Sequence, residues 1–366
     1  MQAFYTELPA SAQTAYAQLL DAALAADHLR SVSDLSGSFN LKTVKGRRYW
    51  YYQWTQPSGA LTQQYVGPDG EAVRQLIERA RQPGALAALE PLVRSAHALG
   101  CATLVPKHER VLRRLAEYGF FRAGGILVGT HAFLAYGNML GVRWARPDLT
   151  QDIDFAHAGR SLSLALPGTL QVRTADAIHS LEMGFLPVRS LAGKSGATFL
   201  NPREPEFRLD FLTARHRGGD EPFFHPQLNV MLQPLPYMEL SLEHVEQAVV
   251  FSRDRALVVN VPDPARFALH KLIIYGERSG SYRTKAQKDL AQAAGLLAYL
   301  WEHRRSALED AVADVRSRGP RWRSRLTQGA EAVMAQHAEL AGMPGLARAL
   351  KPARTAKTRP AARQGN

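Results

Sequence analysis

Three acidic residues define the chemistry open to this sequence. Asp152 and Asp154 flank Ile153 in the stretch Thr150-Gln151-Asp152-Ile153-Asp154-Phe155-Ala156, and Asp210 lies in Phe207-Arg208-Leu209-Asp210-Phe211-Leu212. Side chains alternate along a strand, so a spacing of two puts Asp152 and Asp154 on one face. Ile153 and Phe155 then turn to the other face, into apolar packing. Two carboxylates about 6–7 Å apart along a strand repel each other unless a cation lies between them. Hard divalent ions such as Mg²⁺ take oxygen ligands of this kind. Asp210 sits between apolar residues in a second strand-like run and offers a third carboxylate.

Upstream, Ile126-Leu127-Val128 reads as a short buried strand, followed by Gly129-Thr130 and a helical stretch from His131 to about Leu140. A glycine turn that opens a helix presents backbone N–H groups and the positive end of the helix dipole, which suits a polyphosphate. Thr130 is expected to cap that helix and to offer its hydroxyl to a phosphate oxygen. Three carboxylates and such a turn are the equipment of two-metal phosphoryl transfer.

The order of these words resembles the nucleotidyltransferase fold of the DNA-polymerase-beta-like superfamily: an apolar strand ending in Gly-Ser, Asp-x-Asp on the next strand, a lone Asp on a third. Val128-Gly129-Thr130-His131-Ala132-Phe133 and Thr150-Gln151-Asp152-Ile153-Asp154-Phe155 resemble more closely an uncharacterised bacterial branch of it. The resemblance covers roughly residues 105–300. It implies that Gly129 and Thr130 hold the triphosphate of an NTP. It implies that Asp152 and Asp154 bridge two Mg²⁺ (or Mn²⁺) ions and that Asp210 binds the metal nearest the attacking hydroxyl. It also implies nucleotide contacts from Lys271, in Leu269-His270-Lys271, and from Lys288, beside Asp289. This sequence departs from the pattern in two places. Thr130 replaces the usual Ser, which keeps the hydroxyl. The step from Thr130 to Asp152 is a long 22 positions, with Gly141–Asp148 as an insert that reads as a loop over the site.

The elements that must position these groups follow from the rest of the chain. The expected class is α+β: a nucleotidyltransferase-fold mixed sheet flanked by helices, a small N-terminal three-stranded β module and a C-terminal helical region. The expected division is 1–104 (helix, small sheet, linking helix), 105–262 (catalytic domain), 263–345 (helical region) and 346–366 (basic disordered tail). Residues 11–29 read as an Ala/Leu-rich helix. Residues 37–67 read as an antiparallel meander turning near Lys45-Gly46 and Pro57–Gly59. Residues 71–99 read as helix broken near Pro83. Between Asp154 and Asp210, a strand over 162–166, a helix over 174–183 and strands over 185–188 and 197–200 are expected. Ala248–Phe251 and Ala256–Val261 read as a hairpin, and helices follow over 265–277, 284–303 and 307–340, the last interrupted at Gly319-Pro320. The turn Gly193-Lys194-Ser195-Gly196 lacks the upstream spacing of a phosphate-binding P-loop.

Composition narrows the partners. The chain has 366 residues, 46% apolar and 21% charged, with a net charge of +12. Those are the proportions of a globular protein, and the excess of cations suits phosphates. The meander interleaves Lys42, Lys45, Arg47 and Arg48 with Tyr49, Trp50, Tyr51, Tyr52 and Trp54. It resembles the β-ribbons of some recombinases and transposase-like proteins, and Lys45, Arg47 and Arg48 are candidate RNA or DNA contacts. Alternation assigns Trp50 and Tyr52 to the module's own core. A second basic cluster runs from Arg316 to Arg325, with binding RNA and solvating a helix joint as its two readings. One cysteine, Cys101, excludes an intramolecular disulfide and fits a cytoplasmic location, and no apolar run reaches the length of a membrane span. No histidine pair has metal-ligand spacing, so zinc is not expected. The leading expectation is transfer of a nucleoside monophosphate to a nucleic acid, protein or small molecule. The alternatives are an inactive fold that holds nucleic acid, and a toxin–antitoxin or phage-defence component.

Overall fold

The computed structural model describes residues 4–28, 38–55, 61–81, 87–145, 150–158, 172–189, 195–215, 219–277 and 283–350. The expected turn at 57–59, the strand over 162–166, residues 193–194 of the Gly193–Gly196 turn, and the tail 351–366 lie outside the described residues. The described chain is a mixed α+β fold: a curled mixed sheet flanked by helices, a small three-stranded β module ahead of it, and a C-terminal helical region. Contacts divide it into two compact units, Tyr5–Asp263 and Pro264–Asn366, the latter with Met1–Phe4.

The central sheet is built around the strand Glu204–Ala214. Along one edge, Leu209–Thr213 pairs in parallel with Ile153–His157. That strand pairs antiparallel with the short strand Ile126–Leu127. The other edge of Glu204–Ala214 changes partner partway along. Leu209 and Asp210 face Phe199 and Thr198 of the antiparallel strand Ser195–Asn201. Leu212–Ala214 instead face Gln233–Leu235 in parallel. The sheet therefore splits beside Asp210.

One face of this sheet is held by aromatic packing. Phe155 and Phe211 are register partners and stack at 5.2 Å. Phe120 meets both edge-on, at 5.3 and 5.8 Å. All three are buried, and offset and edge-on aromatic pairs stabilise beyond their area alone. On the opposite face, Ala156 and Leu212 continue the line of Asp154 and Asp210. They enter a cluster with Ile126, Val128, Met238 and Leu242. One end of that face is thus apolar and closed, and the other is acidic.

The helix Ala10–His28 packs on Glu90–Ala98 and on the hairpin Val245–Phe251/Ala256–Pro262. Tyr16 anchors it. Its hydroxyl donates to the Val249 carbonyl and accepts from the Val249 N–H, each at 3.1 Å. Burial drives this phenol far above its ordinary pKa, so it stays a neutral donor. The C-terminal unit packs the helices Pro264–Glu277, Arg283–His303, Arg305–Ser317 and Pro320–Gln336 on one another.

Several expectations change. The helix after Val128 begins at Gly129, and Val128 is its N-cap, with no side-chain cap. Thr130 is thus inside the first turn and does not cap it, because Gly129 at φ +61 already turns the chain into the helix. Asp152 lies one residue ahead of its strand, which starts at Ile153. Part of the Gly141–Asp148 insert is not a loop: Val142–Trp144 is a strand paired with Tyr5–Glu7, with Val142 and Trp144 buried. The Trp144 indole donates to the Phe133 carbonyl at 2.9 Å, which fixes it inward. The helix from Thr174 ends at His179.

Candidate active site

Two neighbouring strands and one helix start carry the acidic face. Asp154 and Asp210 are direct register partners on the parallel strands. Asp152 joins them, and one oxygen from each of the three carboxylates lies within 4.8 Å of the others. All three are partly exposed. Like charges held directly opposite on a sheet destabilise it, so this arrangement calls for positive charge.

Part of that charge is Arg208, two residues before Asp210 and therefore on the same strand face. Its Nη2 lies 3.6 Å from Asp152 Oδ2 and its Nε 3.3 Å from Asp210 Oδ2. The buried Nε does not form a well-directed hydrogen bond. Two hydroxyls orient the acids from the other side. Thr198 donates to Asp210 Oδ1 at 2.5 Å, and Thr150 donates to Asp152 Oδ1. Asp152 and Asp210 thus each have one oxygen held by a threonine and the other turned toward Arg208.

The start of the Gly129–Met139 helix meets Asp154. The Val128 N–H donates to the Asp154 carbonyl at 3.0 Å, tying the turn to the acidic strand. A Cβ on Gly129 would stand 2.0 Å from Asp154 Oδ2. Glycine is needed there for two reasons: its left-handed backbone, and the carboxylate that fills the place of a side chain. The first turn of that helix carries no acid of its own, and the carboxylate that stands at its positive dipole end is that of Asp154.

A buried histidine pair lies behind the helix start. His131 Nε2 and His108 Nδ1 are 3.0 Å apart. Burial, with Lys107 second, pushes His108 down to about 4, and Asp152 acts in the opposite direction. His108 is therefore neutral at physiological pH, and its ring packs against Phe207.

A nucleotidyltransferase family model matches residues 107–317. The chain belongs to the nucleotidyltransferase family. No curated protein and no solved structure gives a significant match. Family membership implies nucleotidyl transfer from an NTP, a reaction for which such enzymes typically use divalent metals. The acidic cluster fits such an ion. Mg²⁺ takes oxygen donors at about 2.0–2.1 Å, so ligand oxygens around one ion stand roughly 3–4 Å apart. Oxygens within 4.8 Å of one another stand near that spacing.

The other residues singled out from the sequence lie on other elements of this nucleotidyltransferase. Lys271 and Lys288 belong to the C-terminal unit. Lys271 is buried and its Nζ lies 2.6 Å from Asp289 Oδ1, while Lys288 is half-buried. Lys45, Arg47 and Arg48 lie on the three-stranded module. Lys45 is in its first turn and Arg48 is bonded to Asp69 at 2.6 Å. The arginines from 316 to 325 are held locally: Arg316 by the Ala349 carbonyl, Arg318 by Asp314, Arg321 and Arg325 by Glu277, and Arg323 by the Arg316 carbonyl. Sequence reading missed Arg208 and Thr198 as partners of the acids. The i, i+2 spacing of Arg208 and Asp210 was a usable signal. Thr198 had none, because it reaches Asp210 only through antiparallel pairing.

Among the described residues, no helix is long and apolar enough to cross a membrane.

Proposed function

We propose that this chain moves a nucleoside monophosphate from an NTP to an acceptor group and releases pyrophosphate, as a bacterial, cytoplasmic member of the DNA-polymerase-beta-like superfamily. The observation that carries this reading is the convergence of Asp152, Asp154 and Asp210 beside the Gly129 helix start. Those three residues would hold Mg²⁺ or Mn²⁺, two ions in the full two-metal form. The ions would neutralise phosphate charge and favour the nucleophilic form of an acceptor hydroxyl.

The chain's own residues supply positioning. Gly129 and Thr130 offer the triphosphate a helix start with no side-chain cap. Thr198 and Thr150 each donate a hydrogen bond that orients Asp210 and Asp152. Arg208 balances the acids and, on the same face, is placed to meet a phosphate oxygen. Catalysis of this type is mostly positioning and charge neutralisation. The domain reading accompanies the proposal: 1–104 as an accessory region, 105–262 as the catalytic part, 263–345 as a helical region and 346–366 as a tail.

The test is transfer of label from α-labelled NTPs to acceptors in a cell extract, with Mg²⁺ or Mn²⁺. The wild type should label an acceptor and Asp154→Asn should not. Equal labelling by both, or none by either across the four NTPs and both metals, would sink the proposal.

A further inference from the structure

The three-stranded module Ser38–Val44, Arg47–Thr55 and Leu61–Pro68 has two unlike faces. They separate by alternation and register. On one face Trp50 donates to Asp69 at 3.1 Å, and Asp69 also binds Arg48 and Arg74, at 2.6 and 2.7 Å. Tyr52 is buried there, edge-on to Phe39 at 5.0 Å. This face consumes Arg48, Trp50 and Tyr52 in the module's own packing.

The opposite face carries Lys42, Arg47, Tyr49, Tyr51 and Tyr65. Register places them together: Lys42 faces Tyr49 on the neighbouring strand, and Tyr51 faces Tyr65. The Tyr65 ring meets Tyr49 at 6.0 Å and Tyr51 at 5.7 Å, and it remains 52% exposed. Lys42 Nζ lies 5.4 Å from the centre of the Tyr51 ring. A polar ladder braces the face across all three strands, with Asn40 and Gln63 both donating to Gln53 Oε1, at 3.3 and 2.7 Å.

Charge decides what such a face can meet. None of the three strands contains an Asp or Glu. Lys42, Arg47 and, in the adjoining type I′-like turn, Lys45 therefore present positive charge that no carboxylate of the strands offsets. The arginines of 316–325 differ in this respect, since each is already held. An exposed Tyr65 beside the half-buried Tyr49 and Tyr51, with cations that no strand carboxylate offsets, suits a chain that alternates flat bases with phosphates.

We infer that the Tyr49/Tyr51/Tyr65 face binds single-stranded nucleic acid, with bases on the tyrosines and phosphates on Lys42 and Arg47. This goes beyond the transfer reading and does not depend on it. The test is fluorescence-anisotropy binding of the full chain to labelled oligo(U), oligo(dT) and a duplex of equal length, without NTP or metal. Single strands should bind tighter than the duplex. Tyr65→Ala should weaken binding by roughly tenfold or more, and Tyr65→Phe should stay near wild type. Lys42→Gln should reduce the slope of log affinity against log salt by about 0.7. Asp154→Asn should bind as wild type, so loss of transfer and loss of binding remain separable. A preference for oligo(U) or for oligo(dT) would identify the strand as RNA or DNA, and either supports the inference. It is overturned if Tyr65→Ala, folded by circular dichroism, binds within twofold of wild type. It is overturned also if the duplex binds equally well, or if polyglutamate competes as strongly as oligonucleotide at equal charge, which would make the face a general anion surface for an acidic protein.

Discussion

Asp154 and Asp210 stand opposite each other on adjacent parallel strands, one residue before the buried Phe155/Phe211 stack. The stack fixes the register, because a slip of one residue would turn the phenylalanines to the acidic face and the acids into the core. The apolar face therefore holds two like charges together on the other side of the sheet. Without bound metal this juxtaposition costs stability. Asp210→Asn should raise the stability of the metal-free protein by roughly 0.2–1 kcal/mol. It should also abolish most of the rise in melting temperature that Mg²⁺ or Mn²⁺ produces. Thermal melts in chelator and in each metal read both effects. A variant that keeps the wild-type response to metal would show that Asp210 does not share the ion.

Gly129→Ala places a methyl carbon where Asp154 Oδ2 now lies, on a backbone at φ +61. The left-handed backbone alone costs a non-glycine residue about 1–2 kcal/mol. The displaced carboxylate should remove the metal response as well. Denaturant unfolding together with a metal titration checks this. Gly46→Ala, at φ +75 but with nothing near its Cβ, should lose stability and keep the metal response.

Lys271 and Asp289 form a buried ion pair, with side chains 10% and 5% exposed. Removing one member of such a pair leaves a buried charge uncompensated. Lys271→Met should cost about 3–5 kcal/mol, and adding Asp289→Leu should recover most of that loss. Denaturant melts of both variants decide it. The double variant then separates stability from substrate binding: an unchanged KM for NTP would give Lys271 a structural role alone.

Three buried histidines predict acid sensitivity. His108 and His157 are each pushed down to about 4, mainly by burial, and His225 is lowered for the same reason. His157 also donates to the Ala123 carbonyl at 3.0 Å. In the unfolded chain an imidazole takes up its proton near pH 6.5. Between that value and about 4, the unfolded chain binds more protons than the folded one. Stability is thus fully present above about pH 6.5 and falls as pH drops toward 4. Melting temperature measured from pH 7 to 5 should decline by several degrees, and His157→Gln should flatten the curve. A flat wild-type profile would contradict the neutral, buried state of these rings.

Much of this was legible in the linear chain because it depends on local rules. Alternation alone puts Asp154 and Asp210 on the faces opposite Phe155 and Phe211. Gly129 after an apolar run marks a strand-to-helix turn, and Lys45-Gly46 between alternating strands marks a hairpin. The period of two also separated Trp50 and Tyr52 from Tyr49 and Tyr51. What each face of that module meets was beyond its reach.

Register and long-range contact decided the rest. Asp210 meets Asp154 and Thr198 across pairings with partners 56 and 12 positions away, and no local pattern encodes a neighbouring strand. Val142–Trp144 is a strand only because Tyr5–Glu7 pairs with it. The spacing of charges in the chain determined that acids would line one face and cations another. Folding determined which charges are matched: Arg48 by Asp69, Lys271 by Asp289, and the arginines of the last helices by nearby carboxylates and carbonyls. Neutralisation acts through space over a few ångströms, and sequence separation does not measure that distance.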